Sequence, residues 1–245
     1  MSTAMHGPDR SQAAAGELAF SRAAHALPDE ALAGPSLLPG WDRATLLSHV
    51  AGNALAFTRA VTGAAAGGDT RMYDSREQRN AQIAEQARLA PAALRALSDD
   101  AAAGLAAAWN VLTPEQWSLS FTNGQGRPAP LAGTVKGRAR EIWVHLVDLD
   151  AGPTFADVPA DITDAVLREV WASWVARGAD EGLAISTEAS DGAPLTLGAA
   201  EAPGVVLVTG SLAAVTGWAT GRTRDGVTAV TAAGPAPLPA APDWI

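Results

Sequence analysis

The sequence predicts an α+β protein of two domains, a four-helix bundle over residues 1–152 followed by a smaller α+β domain over residues 153–245. Three observations predict it. Long alanine- and leucine-rich segments with helical periodicity fill the chain as far as Leu149, whereas past Gly152 and Pro153 it turns to short β-branched runs bounded by glycine, proline and aspartate. With 48% hydrophobic content in 245 residues, the chain can bury one large core or two modest ones.

The alanine- and leucine-rich segment from about Ser11 to Ala33 reads as a helix ending near Pro28 and followed by a short turn. Pro35, Pro39 and Gly40 then break the chain. Asp42 is placed to cap a second helix, Arg43 to about Ala64, on which Leu46, His49, Val50, Asn53 and Phe57 recur at helical spacing. A loop through Gly67, Gly68 and Met72 leads to a polar helical segment, Ser75 to Leu89, and Pro91 opens a helix running to about Leu112. The stretch TPEQWSLSFTNGQGRPAP reads as a long connection with room for a short hairpin, and Leu131 to Leu149 as the last bundle helix. In the second domain, Asp161 to Arg177 is an amphipathic helix. GLAISTEA, APLTLGA and GVVLVTG read as strands, Ser211 caps a helix up to Gly221, and GVTAVTAA is a further strand before a proline-rich tail ending in Trp244.

Composition excludes several function classes. A formal net charge of -9 argues against nucleic acid, whose phosphates are bound by clustered basic residues, and points to small-molecule partners. No stretch approaches the ~18–20 apolar residues needed to span a bilayer, and MSTAMHGPDRSQ lacks a secretory apolar run, so a cytoplasmic protein with no membrane partner is expected; a monomer is the separate default expectation. The chain has no cysteine. Disulfides, Cys-ligated metals and a protein thiol nucleophile are therefore all excluded, and any sulfur chemistry must arrive with a cofactor.

Glu141 and His145 stand i, i+4 on the last bundle helix, so both project from one face and can converge on a single ion, with His49 completing the set from a facing helix. Two imidazoles and one carboxylate are a common catalytic zinc complement, with a position left open. On spacing alone, Glu-x-x-x-His is more often a helix-surface pair, and a lone histidine on an apolar helix a hydrogen-bonded core residue. The setting favours the metal: Trp143, Val144, Leu146 and Val147 crowd His145, and a buried unpaired carboxylate is costly. Asn53 shares the face of His49 and is a candidate for the cofactor pocket, a structural hydrogen bond being the equal alternative. Arg76, Arg79, Arg138 and Arg140 read as surface or helix-pairing residues.

The segments LLPGWDRATLLSHVAGNALA, MYDSREQRNAQIAE, GRAREIWVHLVDLDAG and VVLVTGSLAAVTGWATGRTRDGV, in this order and with the closing PDWI, resemble the mycothiol-dependent maleylpyruvate isomerase family. The resemblance implies a DinB-like four-helix bundle joined to a smaller α+β domain. It also implies metal ligands in SHVAGN and REIWVH, hence His49, Glu141 and His145, and an active-site arginine from the second domain in TGRTRDG, hence Arg222. Without the resemblance, Arg222 is an ordinary arginine near a helix C-terminus.

The function so implied is conversion of maleylpyruvate to fumarylpyruvate with a divalent metal, zinc by its ligand set, and mycothiol. A thiolate adds to the cis alkene, the bond rotates, and the thiol leaves unchanged. Arg222 would bind a substrate carboxylate or the enolate. Two other readings stay open: a mycothiol S-transferase that stops after addition to another electrophile, and a non-catalytic metal- or ligand-binding protein.

Overall fold

The structure, a computed structural model, describes residues 7–244. The first six residues, on which the expected lack of a secretory run partly rests, and Ile245 of the closing PDWI lie outside the described residues. The described chain divides between Gly152 and Pro153 into two compact units.

The first unit is helical. α1 (Ser11–Ala26), α2 (Arg43–Ala65), α4 (Pro91–Asn110) and α5 (Ala132–Asp148) form the bundle, in which α2 packs against α4 and α5, and α1 against α5. The shorter α3 (Arg76–Gln86) lies on α2. The first helix ends at Ala26, close to Pro28 as expected: Leu27 before Pro28 is extended, as the proline ring demands, and Asp29–Ala33 forms a 3-10 turn. The connection before α5 holds the short hairpin β1 (Ser120–Thr122) and β2 (Pro128–Pro130).

α2 is the central helix. Asp42 caps it by accepting from the Thr45 N–H at 2.7 Å, and every residue from Leu46 to Ala54 is buried. α1 approaches α5 closely at Gly16, where an added Cβ would stand 2.5 Å from Ile142 Cγ2. One buried guanidinium sets the helices in register: Arg138 of α5 donates to Glu17 of α1 at 2.6 Å, and to the Val50 carbonyl and Asn53 Oδ1 of α2 at 2.9 and 3.0 Å. Arg138 is therefore a core residue tying three helices. With Asn53 held against Arg138, the preceding turn of α2, carrying His49, lies beside the following turns of α5, carrying Glu141 and His145.

The second unit carries α6 (Ala160–Arg177), α7 (Leu212–Ala219) and a five-stranded sheet. Its strands are β3 (Leu183–Glu188), β4 (Pro194–Leu197), β5 (Val206–Gly210), β6 (Val227–Thr231) and β7 (Gly234–Ala236), in the order β4-β3-β5-β6-β7. β3 and β5 run parallel and the other pairs antiparallel. α7 packs on both α6 and the sheet, over a core in which Trp174 and Trp218 are buried edge to face. β7 arises from the segment read as tail. Its Pro235 has no N–H to donate and is tolerated because this strand is at the sheet edge. Among the described residues, no helix is long and apolar enough to cross a membrane.

Candidate metal centre

His49, Glu141 and His145 converge, offering one ligand atom each within 4.8 Å of one another; among the described residues they are the one group of three or more able to hold a metal ion. The separations are 3.1 Å between the two Nε2 atoms, 3.5 Å from His49 Nε2 to Glu141 Oε2, and 3.4 Å from His145 Nε2 to Glu141 Oε2. Around a tetrahedral zinc with ligands at ~2.0–2.1 Å, neighbouring donor atoms stand about 3.3–3.4 Å apart. The three atoms thus span a face of the right size. The i, i+4 spacing on α5 supplies two of them, and the Arg138 tether supplies the register of α2.

Each donor is held from behind. Asp148, fully buried, takes the Nδ1 side of His145 at 2.8 Å, and Arg140 donates to Glu141 Oε1 at 2.8 Å, leaving Oε2 turned to the histidines. Trp41 meets His49 edge to face, with ring centroids 5.4 Å apart. Arg79 of α3 donates through Nη2 to His49 Nδ1 at 3.1 Å.

The protonation states follow from these neighbours. Burial pushes His49 down to about 4, reinforced by the charges of His145 and Arg79 against the pull of Glu141, so its ring is neutral at pH 7. Burial works the same way on His145, but Asp148 and Glu141 together outweigh it and hold that ring up at about 9. Glu141 resists the upward push of burial because both histidines contact it, and stays well below the usual carboxylate range. Consequently His145 carries a proton on each nitrogen, and His49, whose Nδ1 lone pair accepts from Arg79, carries its proton on Nε2. Two N–H groups then oppose one another at 3.1 Å, with Glu141 Oε2 to accept both. A single divalent cation in place of those protons uses all three donor atoms as acceptors of positive charge, which is how the donor set fits a metal.

The remaining predicted site residues are placed differently. Asn53 lies on the His49 face, but its Oδ1 accepts from buried Arg138, the structural alternative weighed for it. Arg222 follows α7 in the second unit, where Gly221 takes φ 78 and the Arg222 and Thr223 amides both donate to the Gly217 carbonyl. Its guanidinium donates to the Thr220 carbonyl and lies 5.8 Å from the Trp244 ring centroid. Trp143, next to the ligands in sequence, faces α1 and donates to the Gln12 carbonyl at 2.9 Å.

Sequence reasoning left Arg79 and Arg140 as surface or helix-pairing residues and gave Asp148 and Trp41 no place at the site. Asp148 was within reach of it, standing i+3 from His145 on the same helix, but nothing in the spacing of Arg79 or Trp41 signals that they meet His49.

A family model for the mycothiol maleylpyruvate isomerase N-terminal domain matches residues 13–150, and one for the C-terminal domain of the same enzymes matches residues 157–241. Two solved structures, of the mycothiol-dependent maleylpyruvate isomerase and of its mutant with a histidine changed to alanine, are each 36% identical to this chain. Each alignment covers 96% of this chain and 95% of that one, with a TM-score of 0.86. No curated protein matches. With both of its units matched to the family's two domains, the chain belongs to the mycothiol maleylpyruvate isomerase family.

Proposed function

We propose that the chain is a metal- and mycothiol-dependent cis-trans isomerase that converts maleylpyruvate to fumarylpyruvate. The observation that carries this reading is the three-donor face of His49, Glu141 and His145, built into a protein with no cysteine. When bound there, a divalent cation, zinc by the ligand set, would supply the positive charge that keeps an incoming thiol deprotonated near neutral pH.

The chain's own residues do the rest. Asp148 and Arg140 fix the orientation of His145 and Glu141, as outer partners of metal ligands do. Arg222 of the second unit grips a substrate carboxylate and opposes the negative charge that grows on the substrate during isomerisation. Trp41 shields one side of His49 from water. Asn53 acts at a remove, through the Arg138 bond that holds α2 in register. The protein works as a soluble cytoplasmic monomer on an anionic small molecule.

The test is catalysis with recycling. Incubated with zinc, mycothiol and maleylpyruvate, the protein is expected to yield fumarylpyruvate with the thiol concentration unchanged after many turnovers. Stoichiometric loss of thiol instead identifies an S-transferase, and no turnover with stoichiometric metal a binding protein.

A second expectation concerns pH. Because His145 holds its proton up to about 9, a cation bound through Nε2 must displace that proton. Zinc affinity should therefore strengthen with rising pH across the neutral range, by about tenfold per unit for one displaced proton. Calorimetric titration at pH 7 in two buffers of different ionisation enthalpy should find one proton released per zinc. Finding none contradicts the charge state given to His145.

A further inference from the structure

Arg79 reaches the site from neither of the ligand-bearing helices. It stands in the first turns of α3, whose start is fixed by Ser75 accepting from the Gln78 N–H at 3.1 Å. Three contacts hold its guanidinium: Nη2 on His49 Nδ1 at 3.1 Å, Nη1 on Asn80 Oδ1 at 3.1 Å, and the face of the Tyr73 ring 5.7 Å below Cζ. The first of these conflicts with the chemistry proposed for His49. A guanidinium has only donors, so the bond requires a lone pair on Nδ1. An imidazole that binds a cation through Nε2 keeps its lone pair there and its proton on Nδ1, where it needs an acceptor behind it. His145 has that acceptor in Asp148. His49 has a second donor in the same place, and one that carries positive charge.

We propose that Arg79 and the divalent cation compete for His49, and that the guanidinium displaced from Nδ1 becomes the receiver of a substrate carboxylate at the loaded site. The inference rests on the metal reading above. The displaced group stays close, because α3 packs on α2 and the Tyr73 face offers a cationic side chain a resting place. It is also needed. The substrate is a dianion, the chain carries a net charge of -9, and a guanidinium grips a carboxylate through two parallel hydrogen bonds. Arg79 thereby couples loading of the metal to readiness for an anion: the metal frees the arginine, and the arginine, until freed, weakens the metal.

Arg79→Gln separates the two roles, since its amide oxygen can accept from Nδ1–H while its charge is gone; Arg79→Lys keeps charge and donors. Zinc affinity, read by competition with a chromophoric chelator, is expected to tighten about tenfold in Arg79→Gln and to change little in Arg79→Lys, a shift on the scale of an outer-partner change. Maleate, a cis dicarboxylate, is expected to bind zinc-loaded Arg79→Gln about tenfold more weakly than the zinc-loaded parent. Unchanged or weaker zinc binding by Arg79→Gln overturns the competition, and undiminished maleate binding overturns the carboxylate role. Failure of the unaltered protein to bind zinc at all would instead remove the metal reading on which both depend.

Discussion

Alanine in place of His49, Glu141 or His145 is expected to empty the site of metal and abolish turnover together, each variant falling by more than ~100-fold in both, since even outer partners of a metal ligand cost ~10–100-fold. The three donors are not redundant. Each supplies one corner of a face whose edges measure 3.1, 3.4 and 3.5 Å, and losing a corner leaves two ligands where a catalytic zinc needs three. Glu141 carries an added consequence, because its carboxylate, together with Asp148, balances the charge on His145. Asp148→Asn should fall between these variants and the parent, keeping the hydrogen bond to Nδ1 but losing the charge. Metal content by elemental analysis, set beside kcat/KM on the same preparations, checks the series. Full metal in all three alanine variants would show the ligand assignment to be wrong.

Arg222→Ala is expected to keep the metal and the fold while losing ~10²–10³-fold in kcat/KM, the scale of removing one donor aimed at developing charge. Arg222→Lys should lose most of the same activity, because an ammonium cannot reproduce the planar fork on a carboxylate. The local backbone favours a precise placement: Gly221 turns the chain at φ 78, two amides close on the Gly217 carbonyl, and the Trp244 ring lies beside the guanidinium. Arg224 is the control. It donates to the carbonyls of Leu238 and Pro239, so Arg224→Ala should loosen the C-terminal segment while keeping most of kcat/KM. Near-normal turnover by Arg222→Ala would remove the second unit from the chemistry.

Most of the secondary structure was legible because its signals are local. Asp42 ahead of an apolar-periodic run, Pro91 opening α4 and Gly221 after α7 all act within a turn of where they sit. The failure was tertiary. The segment holding Pro235 read as a proline-rich tail until the sheet gave it an edge. The same divide runs through the site. Glu141 and His145 announce themselves by helical spacing, and His49 by standing on an apolar face, but for Arg138 the sequence left a surface and a helix-pairing place equally open, and the structure takes the second. Its full burial follows from Glu17, Val50 and Asn53 meeting it, groups that are distant in sequence. Arg79 reaches His49 only because α3 packs on α2.

The central claim is that this metal site and an added thiol act together on maleylpyruvate, and the measurement that tests it most directly is the initial rate of fumarylpyruvate formation by one preparation under four conditions: with and without zinc, each with and without mycothiol. Turnover is expected only when both are present. Sustained turnover by chelated protein with mycothiol, or by zinc-loaded protein without any thiol, would contradict the account.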